Sequence, residues 1–143
     1  MGLSSRSAVA IHALTFLARW EDRSMTSAEI AESLAGNAVL VRRILGGLRD
    51  AGLVVATEGR GGGWTLARPP RQITLYDAYA AVEGGPVLSR HAHPPSDACE
   101  VGRHMQALVD TEFQNAERAM EERLGRTTIA DLVQQVVAIE RAR

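Results

Sequence analysis

The chain has 143 residues, 45% apolar and 23% charged, with a formal net charge of −1; this suits one compact domain with or without an appendage and excludes wholesale disorder and collagen-like repeats. A single cysteine excludes an intrachain disulfide framework and any metal site built from several thiolates. No run approaches the roughly 20 apolar residues that span a bilayer, and residues 1–6 lack the charged-then-apolar pattern of a secretion signal, so a reducing, cytoplasmic location is expected.

In chain order, Ser4 or Ser5 can cap a first helix running to about Trp20, with Val9, Ile11, Leu14 and Leu17 inward. After a polar turn, Thr26 and Glu29 stand at capping-box spacing, flanked by Met25 and Ile30 as a hydrophobic staple. This second helix is short, buries Ile30, Ala31 and Leu34, and is closed by Gly36. Asn37 caps a third helix to about Ala51, stopped by Gly52, with Val41, Ile44, Leu45 and Leu48 on its buried face. The period then changes. Residues 53–57 and 64–67 read as strands joined by a glycine-rich turn, and Pro69 and Pro70 end the hairpin. Thr74 caps a fourth helix to about Val82, which Gly84, Gly85 and Pro86 break. Asp97 can cap a long helix over about residues 98–124, a rod of roughly 39 Å at 1.5 Å per residue. Its apolar stripe is Val101, Met105, Leu108, Val109, Phe113, Ala116 and Met120. Gly125 ends it, and a last helix from about Thr128 carries Ile129, Leu132, Val133, Val136 and Val137.

The expected fold class is mainly α with a small β-hairpin wing. Residues 1–83 form a module of helices and hairpin, 84–97 a hinge or sensor loop, and 98–143 a long helix with a C-terminal helix. So small a module cannot cover the stripe of so long a rod, so its expected cover is the same helix of a second chain, in a homodimer.

The net charge hides an asymmetry. Residues 1–71 hold nine arginines against six acids, net +3, whereas 72–143 hold seven against eleven, net −4, and every one of the sixteen basic residues is arginine. A flat, always-charged fork suits phosphates and guanine edges, although genomic codon bias produces the same composition. Three helices followed by a hairpin is the order of a winged helix-turn-helix, which sets its last helix in the major groove. The outward face of that helix carries Ala38, Val39, Arg42, Arg43, Gly46 and Arg49; Asn37, Val39, Arg42 and Arg43 at its front are the expected base or phosphate contacts. A solvated arginine face on a small helical domain is the plain alternative. In the turn Gly59-Arg60-Gly61-Gly62-Gly63, the surplus of glycine suggests a mobile tip whose Arg60 enters the minor groove. A nucleotide-binding loop is the rival, but no helix follows Gly63 and no Lys-Ser/Thr pair is present.

His91, His93, Cys99 and His104 lie between the hinge and the long helix. They are metal-ligating residue types, and Cys99 at a helix start would have a lowered thiol pKa, but their spacing matches no standard metal motif. Metal site, thiol sensor and plain structural role all remain open for them. His12 has no nucleophile near it, and no catalytic constellation is present, so no enzyme activity is expected. A non-DNA protein-interaction module and a small transferase using residues 59–63 are the other classes compatible with the chain.

Several stretches together resemble one family. They are Ala28-Glu29-Ile30-Ala31-Glu32, Leu48-Arg49-Asp50-Ala51-Gly52-Leu53-Val54, Gly61-Gly62-Gly63-Trp64-Thr65-Leu66-Ala67-Arg68-Pro69, Ile73-Thr74-Leu75, Ala81-Val82-Glu83-Gly84 and Thr128-Ile129-Ala130-Asp131-Leu132. The chain is similar over nearly its whole length to the IscR/NsrR/CymR-type (Rrf-type) winged-helix transcription regulators. The resemblance implies a DNA-binding homodimer, joined through the long helix and recognising a roughly palindromic operator; repression is the expected output. It places DNA contacts at Ser4 and Arg6, along Asn37, Ala38, Val39, Leu40, Arg42 and Arg43, and at Arg60. Cluster-binding members carry three cysteines between the Val-Glu-Gly segment and the long helix. Only Cys99 stands there in this chain, so the resemblance is to members without an iron–sulfur cluster. No cofactor is expected, and a thiol-redox or small-molecule effector is the expected signal.

Overall fold

The computed structural model describes residues 4–143. Its elements run α1 Arg6–Arg19, α2 Ser27–Leu34, α3 Ala38–Asp50, β1 Val54–Thr57, β2 Gly63–Leu66, a 3-10 turn Pro70–Gln72, α4 Leu75–Val82, α5 Glu100–Leu124 and α6 Ile129–Arg141. They fall into two compact units. One holds the described residues up to Glu83 together with Leu124–Arg143, and the other is Gly84–Arg123.

The first unit is a winged helix whose helix starts are locked by local chemistry. The Thr26 hydroxyl accepts the Glu29 N–H at 3.1 Å while the Glu29 carboxylate accepts the Thr26 N–H at 3.4 Å. Thr74 with Asp77 and Thr128 with Asp131 close the same reciprocal box at the starts of α4 and α6. The end of α2 differs from the expectation. Ala35, not Gly36, takes the left-handed conformation (φ 50°), and the Gly36 N–H closes the turn onto the Ala31 carbonyl at 3.0 Å. The four expected inward residues of α3 are all buried. On α1 the buried face is Ala10, Ala13, Leu14, Leu17 and Ala18, with Val9 and Ile11 only half-buried. The alanines turn inward because α4 and α6 both pack against α1, and only small side chains let helix backbones approach closely.

The wing is an antiparallel pair with Val54 opposite Leu66 and Thr57 opposite Gly63. A single rung extends it. Met25 donates its N–H to the Trp64 carbonyl at 3.1 Å, and Trp64 returns its own to the Met25 carbonyl at 2.8 Å. The Trp64 indole N–H then donates to the Ser27 hydroxyl at 3.1 Å. The hairpin is thereby tied to the residues that open α2.

The last helix corrects the division drawn from sequence. Rather than extending a 98–143 segment, α6 packs into the first unit: Ile129 is fully buried in its core and donates its N–H to the Ile73 carbonyl at 2.8 Å, while Leu75 donates to the Thr127 carbonyl at 2.9 Å. The second unit contains the 84–99 loop and α5. That helix begins at Glu100, so Asp97 is not its cap; Cys99 immediately precedes it, and its carbonyl accepts the Arg103 N–H at 2.9 Å. No residue of α5 is buried. Val101 and Leu108 are 60% and 59% exposed, Ala116 is also exposed, and Met105, Val109, Phe113 and Met120 are half-covered.

Candidate nucleic-acid interface

The front of α3 is prepared by Asn37, whose side-chain oxygen accepts the Val39 N–H at 2.7 Å and the Leu40 N–H at 3.4 Å. Asn37 is thus engaged with its own helix. The residues that follow divide by helical geometry. Val39, Arg42 and Arg43 stand in solvent, while Ala38 and Leu40, which the sequence placed among the contacts, are half-buried against the core. Val39 is 55% exposed, an apolar side chain held in water beside two guanidinium groups. An α-helix, about 10–12 Å across with its side chains, is what the roughly 12 Å wide major groove admits.

The arginines of residues 6–71 separate into two sets. Arg6 pairs with Glu83, Arg23 with Glu29 and Arg49 with Asp50, and Arg19 lies over the Trp20 ring. Among the described residues, the side chains of Arg42, Arg43, Arg60, Arg68 and Arg71 have no hydrogen-bond or ion-pair partner. Exposed, uncommitted guanidinium groups on α3, at the wing tip and in the segment that follows β2 are the kind of group that meets a polyanion. Arg68 and Arg71 were not among the expected contacts. Their signal was available in the sequence as two basic residues within five positions of the wing strand.

The glycines of the wing tip have local causes. Gly59 and Gly61 have φ of 88° and 77°, as a tight turn requires. Gly62 and Gly63 are there for close approach by the chain itself. A Cβ on Gly62 would collide with the Thr57 carbonyl, and one on Gly63 would lie 2.6 Å from the Met25 oxygen. The glycines are therefore accounted for by the geometry of the loop, and Arg60 at its exposed tip projects from a defined turn.

At the start of α1, Ser4 and Arg6 are exposed but engaged. The Arg6 Nε donates to the Ser4 hydroxyl at 3.0 Å and its Nη2 to the Glu83 carboxylate at 3.4 Å, while the Ser7 hydroxyl donates to the same carboxylate at 3.0 Å. His12 is half-buried, bonded to the Ser33 hydroxyl at 2.8 Å, and burial lowers its pKa. It serves packing between α1 and α2.

In the second unit Cys99 is exposed, and the N–H groups of Gly102 and Val101 at the start of α5 hold its thiol below the ordinary range. His91, His93 and His104 are exposed as well. Among the described residues no three of His, Cys, Asp and Glu gather where a metal ion could be held. The anchor of this region is a residue that sequence reasoning missed: Arg90 pairs with Asp110 at 3.3 Å and Glu117 at 3.2 Å, and Glu117 also accepts the Leu88 N–H at 3.1 Å. That N–H, against a smaller opposing effect of burial and with help from Arg90, lowers the Glu117 pKa.

Comparison with known proteins agrees with this geometry. Residues 3–135 match the family model described as Rrf2, iron-dependent transcriptional regulator. YwnA of Bacillus subtilis, by name an HTH-type transcriptional regulator, is 33% identical over 131 residues, covering 92% of this chain and 96% of the relative. Two solved structures share the fold. IscR of T. potens superposes with a TM-score of 0.72 at 23% identity, covering 95% of this chain and 88% of that one. CymR of B. subtilis, described as a global cysteine regulator, gives 0.71 at 21% identity over 94% and 98%.

Proposed function

Because the chain belongs to the Rrf2 family of transcriptional regulators, and is therefore a DNA-binding transcriptional regulator, we propose that it acts as a homodimeric repressor on a roughly palindromic operator. Each protomer lays α3 in a major groove. Val39, Arg42 and Arg43 meet base edges, and Arg60 reaches the neighbouring minor groove. Arg68 and Arg71 add phosphate contacts behind the wing. The observation that carries this reading is the concentration of unpartnered arginines on α3 and the wing, while the other arginines up to Arg49 are engaged within the chain. Dimerisation through α5 is supported by its length of 25 residues and its apolar stripe, no residue of which is buried. A second copy of the same helix, related by a two-fold axis, covers such a stripe and sets the spacing of the two reading heads.

The family model's description raises the question of iron. The donor set does not fit an iron–sulfur cluster: the chain has one cysteine, and no triad of ligating residues is gathered among those described. We therefore assign the regulator no cluster, and no step of its action passes through one. The signal we assign is oxidation or modification of Cys99, which is supported by the exposure and lowered pKa of its thiol. Among the described residues no helix is long and apolar enough to cross a membrane. We place the protein in the cytoplasm and assign it no catalytic activity. Selection of bound duplexes from random DNA, with and without oxidant, tests the reading. A two-fold symmetric motif bound by the reduced protein, and lost on oxidation only when Cys99 is present, is the expected result. Recovery of no enriched sequence overturns it.

A further inference from the structure

The Glu83 carboxylate sits where an anion is wanted. The first turn of α1 contains no acidic residue and its N-cap Ser5 makes no side-chain cap; the Ser4 hydroxyl accepts the Arg6 N–H at 3.1 Å, but no charge local to the helix start answers its positive end. Glu83, the residue at which α4 ends, supplies the charge from across the fold. It accepts from the Ser7 hydroxyl at 3.0 Å and from the Arg6 guanidinium at 3.4 Å, and its side chain is only 16% exposed. Burial pushes its carboxyl up, but the hydroxyls of Ser7 and Ser4 and the charge of Arg6 together outweigh this and hold it below the usual carboxylate range. Two hydroxyls and a guanidinium gathered on one oxyanion are a donor set that also recognises a phosphate.

We propose that Glu83 is an internal stand-in for a DNA phosphate: in the free protein it occupies the donors of Ser4, Arg6 and Ser7, and the DNA backbone must displace it to use them. This rests on the reading of Ser4 and Arg6 as backbone contacts. The exchange replaces one anion by another on the same donors, so it contributes less to affinity than contacts made by free arginines such as Arg42 or Arg60. Glu83 thereby sets how tightly, and with what salt dependence, the protein holds any duplex, without touching a base.

The test is duplex affinity as a function of salt for Glu83→Gln, Arg6→Gln and the double variant, with thermal melting to compare their folds. Glutamine keeps the shape and can still accept from Ser7 but carries no charge. Glu83→Gln is expected to bind about two- to fivefold more tightly, the worth of a partly exposed ion pair, with a log–log salt slope steeper by up to about 0.9, the increment for one additional phosphate contact. In the Arg6→Gln background both gains shrink, to what the Ser4 and Ser7 hydroxyls alone contribute. Glu83→Asp, which keeps the charge but withdraws it by one methylene, shifts affinity in the same direction and guards against a Glu83→Gln protein that does not fold. Unchanged or weaker binding by Glu83→Gln overturns the proposal, because Glu83 then only braces Arg6. A gain undiminished in the double variant overturns it as well. Failure of the underlying reading is distinguishable, since it shows as full affinity in Arg6→Gln itself, whereas a weaker Arg6→Gln with an unchanged Glu83→Gln leaves Arg6 a contact and overturns only the competition by Glu83.

Discussion

Replacing Gly63 by alanine tests the attachment of the wing to the body. Gly63 has φ of 151°, in a region that essentially only glycine occupies, and a Cβ there would lie 2.6 Å from the Met25 oxygen and 2.8 Å from its carbonyl carbon. The strain alone costs about 1–3 kcal/mol. Relief requires the Met25–Trp64 rung to open, and its two hydrogen bonds are worth about 0.5–1.5 kcal/mol each. The sum is about 2–6 kcal/mol, a large part of the roughly 5–15 kcal/mol that holds an ordinary domain together. Gly61 is the internal control. It also has positive φ, at 77°, but a Cβ there meets nothing within 4 Å, so Gly61→Ala costs only about 1–2 kcal/mol. Urea unfolding followed by circular dichroism measures both variants against the parent chain. A Gly63→Ala protein no less stable than Gly61→Ala refutes the close approach of Met25 to the hairpin.

Three further outcomes follow from the first unit. Ala35→Gly places a permissive residue at the left-handed end of α2 and is expected to raise stability by about 0.5–1 kcal/mol; a lower melting temperature contradicts the left-handed cap. Ile129→Ala removes a fully buried side chain and is expected to cost about 2–5 kcal/mol, a loss under 1 kcal/mol in chemical denaturation showing that α6 is not part of the core. The folded-state pKa of His12 is depressed by burial, so the unfolded chain binds the extra proton first. Stability is then full above the unfolded value of about 6.5 and falls as pH drops below it. His12→Gln should flatten that part of the melting-temperature profile, and an unaltered profile sinks the assignment.

Much of the reading head was legible because its signals are local. Asn37 and the Val41, Ile44, Leu45 and Leu48 spacing define α3 within one stretch of chain, and Thr26 with Glu29 announces the start of α2. What stayed hidden depends on partners far away in sequence. Gly63 is glycine because of Met25, and α6 joins the first unit through Ile73 and Thr127, neither of which carries a periodic signal. Glu83 lies 77 residues from Arg6, so nothing local in the sequence pairs the two. On α1, alanine is too weakly apolar to mark a buried face against Val9 and Ile11, yet close packing of α4 and α6 selects it. Arg90 was likewise unmarked, because its two carboxylates, Asp110 and Glu117, lie far along the following helix.

The central claim is that α3 and the wing read DNA, and the most direct measurement is operator affinity of Arg42→Ala and Arg60→Ala on the duplex selected by the parent protein and on a scrambled one. Arg42→Ala is expected to weaken operator binding by about 1–3 kcal/mol and to erode discrimination against the scrambled duplex. Arg60→Ala should weaken both duplexes and shallow the salt slope by roughly 1. Operator affinity and discrimination unchanged in both variants contradict the account.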